Sequence, residues 1–181
     1  MIRFALTAAL LATLATGGAI AQTPQSSSAA SGQRIEMPKP ALSRAEVRAL
    51  VEGALAYGAT TSIAMGVAVV DQAGDLIAAE RSDGGTYRNI KFATGKAYAS
   101  AIFGQTTEAL GAVQKTRPDR YFGIMNMYPG KVYLVGGGVP LVIDGKLVGA
   151  AGAAGLPEGV DEKAVRAGIE AWMKLRETLK K

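Results

Sequence analysis

IAMGVAVVDQAGDLIAAE, residues 63–80, decides the fold. Residues 63–70 are rich in β-formers, and residues 75–80 are a second such run. Asp71-Gln72-Ala73-Gly74 between them is turn chemistry. Two strands joined this tightly must be antiparallel, because a parallel return needs a long crossover. A second hairpin lies downstream in GGGVPLVIDGKLVGAAGAAG, residues 136–155, where Asp144-Gly145 is a type I′ signal between strands at 139–143 and 146–153. Residues 131–135 read as one further strand before the glycine run, which makes five in all.

Helices fill the rest. Ser43 is a good N-cap and Glu46 completes a capping box for a helix over 43–57, which Gly58 should stop. Val47, Leu50, Val51, Ala54 and Leu55 give it one apolar face. A longer helix is expected over 87–103, with Ile90, Ala93, Ala97 and Ala101 on one side and Gly95 inside it. Gly95 weakens that helix by roughly 1 kcal/mol relative to Ala, so a packing need is expected there. A short helical piece is expected over 107–114. Residues 117–130, RPDRYFGIMNMYPG, carry two prolines and read as an irregular loop. The last helix runs over 161–179, with Val165, Ile169, Trp172 and Leu175 on its apolar face. Hairpins with intervening helices predict an α+β layered domain, its antiparallel sheet covered by helices.

The N-terminus has the three parts of a secretory signal: Arg3, an apolar stretch over 4–15, and the small-x-small site Ala19-Ile20-Ala21. Residues 1–21 are therefore expected to be removed, which leaves Gln22 first and a periplasmic or secreted protein. The apolar run is shorter than the roughly 20 residues a membrane span needs, so no transmembrane segment is expected after cleavage. Residues 22–40, rich in Ser, Ala, Gln and Pro, read as a disordered tether, and the domain occupies 41–181.

Composition restricts the chemistry. The chain has no Cys and no His. Thiol nucleophiles, thiolate metal sites, a Ser-His-Asp triad and histidine-ligated iron are all excluded. The net charge of +5 is dispersed, without the basic stripe or motif of a nucleic-acid binder.

Four segments in order resemble the GlcG/HbpS family of haem-binding proteins, which includes the C-terminal domain of PduO-type proteins. They are AVVDQAGDLIAAERSDG, with Arg81, Asp83 and Gly84; GKAYASAIFGQTT, with Lys96, Ala97, Phe103 and Thr106; GGGVPLVIDGKLVGAAGAAG; and the start of the final helix at Pro157-Glu158 and Asp161-Glu162. The resemblance implies a profilin-like fold, homo-oligomers, and in several members a bound haem or other tetrapyrrole. With export, it implies a haem-scavenging, haem-storing or haem-sensing protein without redox catalysis of its own. Two departures stand out. The family often reads Gly-x-Ser-Gly-Gly after the last strand, where this chain has Ala153-Ala154-Gly155-Leu156, so Ala154 replaces a common serine. Histidine ligation of haem, known in some relatives, has no counterpart here.

Three constellations could carry a ligand. Gly152 and Gly155, before the helix start at Glu158 and Asp161, would let a carboxylate approach the backbone, or would serve only close packing, with those two acids satisfying the helix dipole. Arg81, Asp83 and Lys96 could clamp a carboxylate; alternatively Asp83 caps the next helix and pairs with Lys96. Tyr121, Met125, Met127 and Tyr128, with Phe122, could line a macrocycle or ligate its iron, or form an oligomer interface. Two other functions remain open: an enzyme or accessory for a small organic acid centred on Arg81, Asp83 and Lys96, and a structural or sensory oligomer without a small-molecule ligand.

Overall fold

The structure is a computed structural model, and it describes residues 41–157 and 159–179. The expected signal peptide and tether, and Glu158, lie outside the described residues. Five helices and four strands follow in the order α1 (Arg44–Ala59), β1 (Gly66–Asp71), β2 (Leu76–Arg81), α2 (Tyr87–Phe103), α3 (Thr107–Thr116), α4 (Pro118–Met127), β3 (Gly138–Ile143), β4 (Lys146–Ala154) and α5 (Val160–Leu179). The strands form one sheet in the order β2-β1-β4-β3, and every neighbouring pair is antiparallel.

Both hairpins form at the expected turns. Asp71 Oδ1 accepts the N–H groups of Ala73 (2.8 Å) and Asp75 (2.9 Å) and so closes the first. In the second, Asp144 and Gly145 both have positive φ, as a type I′ turn requires.

The sheet separates two cores. On one face Val67 and Val69 of β1, Ala151 and Ala153 of β4, and Leu141 of β3 pack against Leu50 and Ala54 of α1 and Val165 and Trp172 of α5. On the other, Ala68, Val70, Ala150 and Ala154 meet Ala93, Ala97 and Ala101 of α2. That second interface is made almost wholly of small residues, so α2 lies close to the sheet. A Cβ on Gly152 would collide with the Ala93 carbonyl oxygen and stand 2.7 Å from the Ala97 nitrogen. Gly152 thus serves close packing rather than ligand approach.

At the far end of α1, the Ser43 capping box is present and is extended into a buried network. Glu46 Oε2 accepts from the Ser43 N–H and hydroxyl, and Glu46 Oε1 accepts from Trp172 Nε1 and Arg176 of α5. One carboxylate therefore ties the start of α1 to the end of α5.

Three expectations change. α1 does not stop at Gly58 but runs to Ala59; Gly58 does not take the positive φ of a helix stop, and its missing side chain makes room for Met65. Residues 118–127 are helix α4, not irregular loop. Pro118 sits in its first turn and Pro129 beyond its end, which are the places where a helix accepts proline. Residues 131–135 are not a strand, so the sheet has four strands and not five. The alternation there is real, but Val132 and Leu134 bury against Ala99 of α2 and Leu110 of α3. The segment crosses helices and has no strand partner.

Gly95 has the packing role expected of it. A Cβ there would stand 3.1 Å from Tyr133 Cβ, and the Tyr133 N–H donates to the Gly95 carbonyl at 3.2 Å. The glycine lets the 131–135 crossing lie directly on α2.

Candidate functional site

A cleft of about 680 Å³ opens where the start of α2, the 131–137 crossing, the end of β4 and the start of α5 converge. Its volume falls within the roughly 300–1,000 Å³ typical of small-molecule and cofactor sites. α2 supplies one wall through Arg88, Phe92 and Lys96. These residues recur every fourth position, so they share one helix face. Tyr133 faces them from the crossing, and its ring stacks on Phe92 with centroids 4.5 Å apart and planes 9° apart. Ile63, Val135 and Leu156 add apolar surface.

The rim is fixed by the cap of α2. Asn89 Oδ1 accepts from the Thr86 N–H (2.8 Å) and hydroxyl (2.7 Å), while Asn89 Nδ2 donates to the Ala154 carbonyl at 3.3 Å. Asn89 thereby pins the helix start to the end of β4. Asp83, expected as a capping residue, is not the cap; Thr86 takes that position because the helix begins three residues later. Gly155 also lines the cleft, with φ +128° and a hypothetical Cβ 2.6 Å from both Ala64 O and Asn89 Nδ2. No side chain could be carried there.

The floor is a buried ion pair. Lys96 is 2% exposed, and its Nζ donates to Asp161 Oδ2 at 2.6 Å and to the Ala153 carbonyl at 2.9 Å. Asp161 Oδ1 accepts the Leu156 N–H at 2.9 Å. The expected pairing of Lys96 with Asp83 is thus replaced by a pairing with Asp161, since Asp83 lies on the exposed turn after β2 while Lys96 points into the core. Burial lifts the Asp161 carboxyl above the ordinary carboxylate range, and Lys96 and the Leu156 N–H pull it only part of the way back. Gly137 covers the pair: a Cβ there would stand 2.6 Å from Asp161 Cβ and 3.0 Å from Lys96 Nζ.

Of the residues singled out in the sequence as ligand-binding, the cleft brings together Lys96 and Gly155, and with them Asp161 from the expected helix start. Arg81 and Asp83 are exposed at the end of β2 and after it, and they do not line the cleft. Tyr121, Met125 and Tyr128 pack on the cluster around Leu110, with Tyr128 edge-on to Tyr98 and Phe103; Met127 is 77% exposed. None of these four α4-segment residues lines the cleft. Sequence reasoning passed over Arg88, Asn89, Phe92 and Tyr133. The four-residue spacing of Arg88, Phe92 and Lys96 was available as a signal; the stack of Phe92 on Tyr133 was not, because it joins a helix to a crossing that reads as a strand.

Known structures share this architecture. The PduOC haem complex superposes with a TM-score of 0.66 at 25% identity, over 72% of this chain and 94% of that one. HbpS gives a TM-score of 0.66 at 26% identity, over 78% and 96%. A double mutant of Streptomyces reticuli HbpS gives 0.64 at 24% identity, over 90% and 97%. No curated protein matches the chain. The family model described as "Haem degrading protein HbpS-like" matches residues 42–170, and the chain belongs to the HbpS-like family.

Proposed function

We propose that this protein binds haem or a related tetrapyrrole in the cleft between α2 and the 131–137 crossing. The observation that carries the reading is the stacked Phe92–Tyr133 pair in a cleft that also holds two cationic side chains, Arg88 and Lys96. A flat aromatic macrocycle with acid arms asks for that combination of apolar wall and cations. The haem complex of PduOC, a relative at 25% identity, supports the same ligand class.

Haem iron, when bound, would supply a Lewis-acidic centre for which the protein must offer a donor atom. With no His or Cys in the chain, the Tyr133 phenol is the donor we assign, since tyrosine ligates ferric haem in catalase. Tyr133 would hold the iron, Phe92 would back its ring, and Arg88 would meet an acid arm at the rim. Gly155 would let the macrocycle edge approach the backbone. Without an imidazole to relay protons, the site is suited to holding haem rather than turning it over. Residues 1–21 would direct the chain out of the cytoplasm, which makes scavenging, storage or sensing its role.

A haem titration of the purified protein tests the reading. A Soret shift that saturates at micromolar haem, and that changes in position and weakens in Tyr133→Phe, is expected. An unshifted Soret band in the wild type would overturn haem binding; an unchanged band in Tyr133→Phe would overturn the ligand assignment. Adding ascorbate under air reads turnover: a persistent Soret band supports storage, and its bleaching supports the degradation that the family description names. N-terminal sequencing of exported protein should begin at Gln22. Light scattering on the same sample reads the homo-oligomer implied by the resemblance.

A further inference from the structure

Among the described residues, three charged side chains line the cleft: Arg88, Lys96 and Asp161. Lys96 and Asp161 neutralise each other, so these three leave one net positive charge, on Arg88. Lys96 Nζ has three N–H groups. Two are used, on Ala153 O and Asp161 Oδ2, and the third has no oxygen acceptor among the described residues, only the Tyr133 ring with its centroid 5.9 Å from Nζ. The ammonium is 98% removed from solvent, so an unmet donor there is costly. Lys96 lines the cleft, and a ligand acceptor in the cleft could meet that N–H.

We propose that the Lys96 end of the cleft is a carboxylate subsite. It takes the acid group of a short monocarboxylic acid on the third Lys96 N–H, with Arg88 supplying the compensating charge. One acid arm of a larger planar ligand presents the same chemistry, and that second source rests on the haem reading above; the first does not. A monoanion fits because it matches the single net charge. A dianion, as phosphate is in mildly alkaline solution, would meet stronger repulsion from the adjacent Asp161 carboxylate than a monoanion does.

The test uses the full chain and inorganic or organic anions of known charge. In mildly alkaline buffer, where phosphate is mostly the dianion, propionate at about 50 mM should raise the melting temperature, as expected for a site of millimolar affinity, whereas phosphate at equal ionic strength should not. Lys96→Met combined with Asp161→Asn removes both floor charges together and keeps similar volumes. It should weaken propionate binding about tenfold or more, the cost of one charge-assisted hydrogen bond. Arg88 is exposed, so Arg88→Ala folds in any case, and it should weaken propionate binding in low salt. Propionate acting no better than phosphate, or unchanged propionate affinity in both variants, overturns the subsite. Haem and its dimethyl ester separate the two sources. If an acid arm uses Lys96, the ester binds the wild type more weakly than haem does, and the difference narrows in the double variant; equal binding to the wild type, or an undiminished difference in the double variant, overturns the acid-arm source. Propionate binding without any haem binding would defeat the haem reading and leave the subsite standing.

Discussion

Replacing Lys96 by Met should be among the most damaging single changes in the domain, and less damaging when Asp161 is changed with it. In the native fold the ammonium and carboxylate are 2.6 Å apart, with Lys96 2% and Asp161 6% exposed. Lys96→Met leaves the Asp161 carboxylate buried with only the Leu156 N–H on it. Breaking one side of a buried pair costs about 3–5 kcal/mol, whereas replacing both charges costs far less. At about 2–4 °C per kcal/mol for a domain of this size, the single variant should melt about 10 °C lower or more. Lys96→Met with Asp161→Asn should recover at least half of that loss. The pH dependence has a definite sign. Asp161 in the single variant loses its stabilising cation, so its folded-state pKa rises further above its unfolded value. A group raised in this way stabilises the fold below its unfolded pKa and loses that contribution as pH rises through the folded value. The deficit should therefore be smallest near about pH 4 and grow towards neutrality. Urea denaturation of the wild type, both single variants and the double variant, at acid and neutral pH, gives the coupling energy directly. A deficit in the double variant equal to the sum of the singles, or one that shrinks as pH rises, would refute the pairing as the origin of the effect.

Glu46→Gln should destabilise by about 2 kcal/mol, because it removes the charge that accepts from Ser43, Trp172 and Arg176 at once. Burial pushes the Glu46 carboxyl up, but the Ser43 hydroxyl and N–H, Trp172 and Arg176 together hold it below the ordinary range. Its contribution is then present above the ordinary carboxylate pKa and lost as pH falls through its folded value. Acid denaturation should accordingly be shallower in Glu46→Gln than in the wild type. Gly152→Ala should cost about 3 kcal/mol or prevent folding, since its Cβ meets backbone atoms of α2 that cannot move alone; circular dichroism melting checks it. Gly95→Ala should gain helix propensity yet lose stability and haem affinity together, because it displaces the Tyr133 wall; a normal Soret titration in a stabilised Gly95→Ala would contradict that account.

The parts of this molecule that were legible in its sequence are those fixed by local chemistry. The Asp71–Gly74 and Asp144-Gly145 turns determine their hairpins from within four residues, and the Ser43–Glu46 box marks the start of α1. The bounds of α2, residues 87–103, are where apolar spacing places them. The misreadings share one cause, the use of a local signal whose meaning depends on what lies opposite. The prolines around α4 look like breakers until their positions relative to the helix are known. The alternation in 131–135 looks like a strand because Val132 and Leu134 bury and Tyr133 does not, yet the surface beneath them is helical. The family resemblance was carried by segments in order, and the family model matched over 42–170.

The site was legible only in part, for a related reason. Lys96 stood out as a charge among alanines and glycines, but its partner lies sixty-five residues away on another helix. Nearest-motif reasoning chose Asp83, which shares a segment with Arg81 and ends exposed. A buried cation selects whichever acid can be buried with it. That acid is Asp161, because the first turn of α5 passes over the end of β4, where Gly137 and Gly155 leave room for no side chain of their own. The glycines that looked like ligand-approach positions therefore divide by what faces them. Gly152 faces α2 and is spent on packing, whereas Gly155 lines the cleft; Gly137, which was not among them, packs on the ion pair. On the proposed haem reading, Gly155 and the Phe92–Tyr133 wall would hold a planar acid in a chain that has no histidine.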